Sequence, residues 1–397
     1  MTTEQGLFHK ISLIYTLNHK GKLVSNTKTI VMKYKTPVFL LIIGLLSIAC
    51  STDADTAIQD DFISEQTAIN LYFPPLNSTE WETTTLTELK WNEVATQALY
   101  TFLEEKNTKA FIVLKNGRIA VEWYGTDFTQ DSPWYWASAG KTLTSFTTGI
   151  AQEEGFLALT DKSSDYLGEG WTSLTTEKEG LITVWNQLSM TTGMDDTQGD
   201  CKTPDCLTYI TDAGTRWSYH NAPYTLLQDV ITNASNTDFP TYFNTKLRDR
   251  IGMTGQWFST NESNNVYWST ARSMARFGLL NLNNGVWDET TILGDTSFLK
   301  GMKNTSQPLN KSYGYLWWLN GKESAMIPQS QVIFETTLMP NAPEDLYAGL
   351  GKNDQKLYIV PSQNLVIVRM GEDTGVTTLG PSSFDNELWE LINSIIY

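Results

Sequence analysis

Histidine is nearly missing from this chain. Three occur in 397 residues, and beyond residue 50 only His220 remains. A Ser-His-Asp triad would have to use that one residue, and no histidine pair is present to hold a zinc ion. His220 itself, between Tyr219 and Asn221, reads as a partly buried polar residue at a helix start. A glycine-rich phosphate loop is also lacking. Basic residues are few. The first 49 residues hold six lysines and one glutamate, so the rest carries 22 basic against 43 acidic residues, a net charge of −21. No basic stripe is left to meet a phosphate backbone, which argues against nucleic-acid binding.

Long apolar runs are scarce too. The run from Val38 to Ile48 is about half of what a membrane-spanning helix needs. Lys33 and Lys35 precede it and Ala49-Cys50 follow it, the flanks of an export signal. A small residue before cysteine at the end of such a run is similar to a bacterial lipoprotein signal, with Cys50 the lipid-carrying residue. That motif has leucine three residues before the cysteine, where Ser47 stands here, so an ordinary cleaved signal or a plain anchor stays open. Met32 begins so complete a signal that residues 1–31 read as an over-extended start.

Cysteine is limited to Cys50, Cys201 and Cys206. Outside the cytoplasm, a close pair across the Pro-containing turn GDCKTPDC is most simply a disulfide tying one loop. A metal reading would need better ligands than Asp200 and Asp205.

What is present fits a folded, exported, acidic protein: 41% hydrophobic and 12% aromatic residues are enough to fill a large core. Residues 51–80 are polar and non-periodic and read as a tether. After Trp91, Val94, Ala95, Ala98, Phe102 and Leu103 fall at helical spacing. AFIVLKNGRIAVEWYG predicts a hairpin turning on Asn116-Gly117. Leu143, Phe146, Thr147 and Ile150 keep a 3.6 period that Gly155 stops. In STARSMARFGLLNLNNG, Ser269 caps a helix ending at Asn283 to Gly285. KLYIVPSQNLVIVRMG predicts a second hairpin through Pro361 to Asn364, and FDNELWELINSIIY a closing helix. Strands at both ends with helices between predict one mixed sheet built from the two ends, plus an inserted helical subdomain.

The chemistry sits in WYWASAGKTLTSF. Ser138 and Lys141 are three apart, so on a helix their Cβ atoms lie roughly 5–6 Å apart on one face. A serine hydroxyl needs a neighbouring base, and a lysine serves only if burial lowers its pKa; the approach Trp134-Tyr135-Trp136 could supply that burial. The Ser-x-x-Lys pattern also occurs at Ser25–Lys28, in the leader, and at Ser297–Lys300, which reads as an ordinary surface helix.

Ser138-Ala139-Gly140-Lys141 followed by Tyr219-His220-Asn221 resembles the penicillin-recognising serine hydrolases. These include class C β-lactamases, D-Ala-D-Ala carboxypeptidases, related esterases and 6-aminohexanoate-dimer hydrolases. Tyr-x-Asn recurs at Tyr242–Asn244, but only Tyr219 has the run-in GTRWSY and an apolar helix after it. Residues 182–196, 271–288, 313–318 (a later strand) and 347–371 look like further parts of that family. The resemblance spans about residues 85–397 and divides the chain into a leader (1–49), a flexible tether (50–84) and a hydrolase domain (85–397).

The resemblance implies an α+β fold of the β-lactamase/DD-peptidase type, an antiparallel sheet flanked by helices with an inserted helical subdomain. It implies Ser138 as nucleophile, Lys141 and Tyr219 as general base, Asn221 as a substrate-binding residue, and no metal or organic cofactor. The third family motif, Lys-Thr-Gly, reads here as Gly349-Leu350-Gly351 with Lys352 next. Gly351 and Lys352 become substrate-binding candidates: Lys352 through its backbone N–H or, in another register, its side chain. The expected substrate is a small ester or amide, esterase or dimer-hydrolase relatives being nearest. A D-Ala-D-Ala carboxypeptidase, a β-lactamase and a non-catalytic binding relative are the alternatives. The expected place is the bacterial cell envelope, the protein attached to the membrane through Cys50; oligomeric state is not legible. Trp134 to Trp136 and Trp317-Trp318 are expected to line the cleft.

Overall fold

The computed structural model describes residues 71–260, 264–375 and 380–397. The leader, Cys50 and the first part of the expected tether lie outside them. Residues 71–84, expected to be tether, instead lie along the edge of the sheet. The Tyr72 and Thr84 amides donate to the Asn116 and Ile119 carbonyls at 3.0 and 2.9 Å, and Leu71, Phe73 and Trp81 pack on the core. An edge strand offers unpaired backbone groups that an extended segment satisfies, which polarity alone did not reveal.

Helix α1 (Thr96–Glu105) buries Leu99 and Leu103. Val94, counted on its apolar face, sits in the tighter turn Glu93–Ala95 and is exposed, because a 3₁₀ turn advances the side chains differently from an α turn. Strands β1 (Thr108–Lys115) and β2 (Arg118–Tyr124) form the expected hairpin. Asn116 and Gly117 take φ of +52° and +82°, as a two-residue I′ turn requires.

Strand β3 (Trp134–Tyr135) leads through a 3₁₀ turn, Ala137–Gly140, into α2 (Lys141–Glu153). That helix is buried almost all round, not only on the face of Leu143, Phe146 and Ile150. Its threonines tolerate burial by returning their hydroxyls to the helix: Thr147 and Thr148 donate to the Leu143 and Thr144 carbonyls, both at 2.8 Å. α3 (Asn221–Ser235) packs beside α2. β3 then joins β4 (Gln256–Thr260) and β5 (Asn264–Ser269) in a small antiparallel sheet.

The next helix, α4 (Ala271–Leu282), is capped by Thr270 and not by Ser269. Ser269 still belongs to β5, and its hydroxyl accepts from the Trp136 indole at 2.7 Å. The helix ends at Asn283 to Gly285 as expected. α5 (Thr296–Lys303) is the surface helix carrying Ser297 and Lys300. The later strand expected over 313–318 is confined to β6 (Trp318–Leu319), because Leu316 turns the chain with φ +60°.

Strands β7 (Tyr347–Gly351), β8 (Gln355–Val360) and β9 (Leu365–Gly371) and helix α6 (Ser383–Ile396) complete the chain. The main sheet runs β2-β1-β9-β8-β7-β6. Every pairing in it is antiparallel, so the sheet is not mixed; the short links β1–β2, β7–β8 and β8–β9 permit no other sense for those three pairs. Leu357 reaches α4, where a Cβ on Gly278 would stand 2.9 Å from it, while Tyr358 on the other face meets Trp389 of α6 with ring centroids 5.8 Å apart. Helices on both faces explain why β8 and β9 are buried at every residue. Buried with them, Lys356 pairs with Asp354 and Asp385 at 3.0 and 2.9 Å, tying β8 to α6. This is the α+β arrangement that the resemblance implies.

Candidate active site

Ser138 owes its position to a buried anchor and a sharp bend. Trp136 is fully buried, its ring edge-on to Tyr267 at 5.5 Å, and its amide donates to the Tyr267 carbonyl at 2.8 Å. The chain then turns through Ala137 at φ +46°, a left-handed conformation that alanine rarely adopts. Strand β7 lies directly against this bend. A Cβ on Gly351 would stand 2.5 Å from the Trp136 carbonyl oxygen and 3.1 Å from the Ala139 nitrogen. Glycine at 351 therefore allows β7 to approach the turn that presents Ser138.

Lys141, at the first position of α2, reaches back one turn. Its Nζ is 2.8 Å from Ser138 Oγ and 2.8 Å from Asn221 Oδ1. The side chain is only 1% exposed, and its Nζ faces the rings of Tyr219 and Tyr224 at 4.8 and 4.0 Å from their centroids. Burial pulls the lysine pKa down to about 7, with the negative charge of Asp200 acting in the opposite direction. The enclosing aromatics are thus Tyr219 and Tyr224, not the expected Trp134-Tyr135-Trp136. Trp136, Trp317 and Trp318 are buried in the core and do not line an open cleft.

Tyr219 is 5% exposed and stacks on Trp318 with ring centroids 5.7 Å apart. Burial raises the pKa of its hydroxyl, with the Ser138 hydroxyl acting in the opposite direction. Ser138, Lys141, Tyr219 and Asn221 therefore form one contiguous cluster. Lys352 follows Gly351 at the end of β7, exposed, with its ammonium paired to no described residue.

Asp200 joins the cluster although its sequence carried no sign of it: its Oδ1 accepts from Asn221 Nδ2 at 2.6 Å. It precedes Cys201, which is bonded to Cys206 as expected. His220 stands just before α3, makes no side-chain cap, and is fully buried. Burial lowers its pKa to about 4 against the opposing pull of Asp196 and Asp195, and neither ring nitrogen has a partner among the described residues. The competing motifs lie in other surroundings. Ser297 donates to Asp295 on the surface, and Tyr242 donates to Glu154. Among the described residues no histidine, cysteine, aspartate and glutamate group could hold a metal ion, and no helix is long and apolar enough to cross a membrane.

A family model described as beta-lactamase matches residues 103–381, more than two thirds of the chain. The chain belongs to the beta-lactamase family. With it comes membership of the β-lactamase/DD-peptidase-like superfamily of serine hydrolases. Solved structures agree in fold at low identity. A candidate 6-aminohexanoate-dimer hydrolase from Bacillus anthracis superposes with a TM-score of 0.60 at 20% identity, over 79% of this chain and 86% of that one. A penicillin-binding-protein homologue from Caulobacter crescentus gives 0.59 at 12% identity, over 80% and 99%. A penicillin-binding protein from Bacillus halodurans gives 0.54 at 16%, over 75% and 99%. A comparison with curated proteins found no match.

Proposed function

We propose that this beta-lactamase-family protein is a serine hydrolase that cleaves a small ester or a linear amide through an acyl-enzyme on Ser138. The observation that carries the reading is the buried Lys141 Nζ, 2.8 Å from Ser138 Oγ and with a pKa near 7. A lysine in that state holds a lone pair at neutral pH, which an exposed lysine does not. Ser138 Oγ attacks the carbonyl carbon while its proton passes to the Lys141–Tyr219 pair. The tetrahedral oxyanion is met by backbone N–H groups of Ser138 and of Lys352 after β7. The leaving alcohol or amine takes the proton from the pair as the carbonyl re-forms. Water then attacks the acyl-enzyme, giving its proton to the same pair, and the acid departs.

Substrate class follows from the third motif. Penicillins and D-Ala-D-Ala peptides bear a carboxylate, and a charged hydrogen bond to it is worth about 1.5–3 kcal/mol. Gly349-Leu350-Gly351 lacks the lysine side chain that would make that bond. Esters and linear amides with apolar acyl groups need no such partner. Likeness to the candidate 6-aminohexanoate-dimer hydrolase agrees with a linear-amide or ester substrate. We place the protein in the cell envelope, held to the membrane through a lipid on Cys50.

The test is kcat/KM for nitrocefin beside p-nitrophenyl acetate and butyrate, with Ser138→Ala in parallel. Both esters should exceed nitrocefin, and the alanine variant should lose several orders of magnitude. Faster nitrocefin hydrolysis would make the exposed Lys352 the missing cation and the protein a β-lactamase in activity. Near-native turnover by Ser138→Ala would sink the mechanism.

A further inference from the structure

We infer that Asp200 is a positioning residue that orients Asn221, and through it Lys141, with the Cys201–Cys206 bridge holding it in place. The inference rests on the reading of Lys141 as the base. Three hydrogen bonds run in series: Asn221 Nδ2 to Asp200 Oδ1 at 2.6 Å, Lys141 Nζ to Asn221 Oδ1 at 2.8 Å, and Lys141 Nζ to Ser138 Oγ at 2.8 Å. A carboxamide has one donating and one accepting end, and a carboxylate only accepts. Asp200 therefore draws the NH₂ of Asn221 toward itself and turns the carbonyl oxygen toward Lys141. That oxygen takes an N–H of the lysine. In the neutral amine the lone pair is then left to face the Ser138 hydroxyl. With the amide turned round, its NH₂ would confront Lys141, and the amine would satisfy it with the lone pair the reaction needs.

The loop that carries Asp200 is built to stay put. The disulfide closes a loop of five residues' separation immediately after it. Beyond the bridge, Leu207 is fully buried, and its carbonyl accepts from the Ser173 amide at 3.1 Å. Lys202 turns to Asp229, at 3.8 Å. The other ionisable groups around Lys141 are Tyr219 and Tyr224, whose rings it faces, with Tyr313 against Tyr219 at 6.3 Å between centroids. Burial raises the pKa of all three phenols, and His220 beside them is held near 4, so none carries charge at neutral pH. Asp200 is the anion that acts on the lysine.

The experiment compares pH profiles of kcat and KM for p-nitrophenyl acetate in the native enzyme, Asp200→Ala, Asp200→Asn, Asp205→Asn and Cys201→Ser/Cys206→Ser. Asp200→Ala should lower kcat about ten- to a hundredfold, the worth of one charge-assisted hydrogen bond, with KM within about threefold. Asp200→Asn keeps an acceptor for Asn221 while losing the charge. It should recover most of kcat, and its acid limb should move to lower pH, because removing an anion favours the neutral amine. Opening the bridge should reproduce part of the alanine effect, and Asp205→Asn, which alters the loop's other exposed carboxylate, should change nothing. The inference is overturned if Asp200→Ala matches the native profile while Ser138→Ala is inactive. It is equally overturned if Asp200→Asn falls as far as Asp200→Ala with its acid limb unmoved, which would mark a role in folding alone. Turnover by Ser138→Ala is a separate result that removes the base assignment itself.

Discussion

Replacing Lys141 by methionine should end turnover and yet stabilise the protein, by an amount that depends on pH. The lysine is 1% exposed, and burial holds its pKa at about 7 against an ordinary 10.5. That displacement is about 3.5 pH units, each worth about 1.4 kcal/mol, so below neutral pH burying this residue costs about 4–5 kcal/mol. Between pH 7 and 10.5 the unfolded chain binds a proton that the folded one lacks. Stability therefore rises with pH across that window, and by pH 9 only about 2 kcal/mol of the penalty remains. Methionine removes the penalty at every pH. It also forfeits the hydrogen bonds to Ser138 and Asn221, a loss of about 1–3 kcal/mol that hardly varies with pH. The variant should be more stable by about 2 kcal/mol at pH 6 and close to the native protein at pH 9. Urea unfolding of both proteins at pH 6, 7.5 and 9 measures this, since other titrating groups cancel in the difference. A stability difference that does not change with pH would show that Lys141 is not held neutral, and the proposed base would lose its physical ground.

Tyr219→Phe should cut kcat for p-nitrophenyl acetate by about a hundredfold or more with little change in KM, as expected of a group acting on proton transfer; unchanged kcat would leave Lys141 as the sole base. Gly351→Ala sets a methyl 2.5 Å from a backbone oxygen, so β7 must back away from the Ser138 turn. That should cost about 1–3 kcal/mol in urea unfolding and reduce kcat about a hundredfold, and native values in both would contradict the packing. His220→Ala should keep turnover within a few-fold, since the ring is neutral above about pH 4 and unpaired among the described residues; a collapse in that variant would revive a histidine mechanism. Metabolic labelling with an alkynyl fatty acid should mark Cys50, and an unlabelled protein with a mature N-terminus elsewhere would favour an ordinary signal peptide.

Much of the fold was legible because it rests on local chemistry. Asn116-Gly117 and Pro361 to Asn364 specify turns through backbone conformations that few residues accept, so both hairpins could be read residue by residue. Hydrophobic period marked α2 and α4, because it too is a local property. Errors arose where one element borrowed from another. Ser269 looked like a helix cap, but it completes a strand and accepts from Trp136, which lies 133 residues earlier. Residues 71–84 looked like tether because their partner is the backbone of a sheet edge, and backbone has no sequence signature. The pairing of Lys356 with Asp385 was likewise invisible, since the two charges are 29 positions apart and meet only where β8 packs on α6.

The site divides along the same line. Ser138 and Lys141 are one turn apart, so the spacing of the two residues alone could bring them together. Tyr219 and Asn221 needed a resemblance to be recognised, because nothing local ties residue 219 to residue 138. Asp200 could not be found at all, as its meaning depends on which end of the Asn221 amide it meets. Nor could sequence say what lowers the pKa of Lys141. Its pKa near 7 comes from exclusion of water by Tyr219 and Tyr224, side chains some eighty residues away. Sequence by itself picked out Ser138, its neighbour Lys141 and the turns. Only the tertiary structure decided the protonation state, because desolvation is a property of the whole surrounding volume and not of any one stretch of chain.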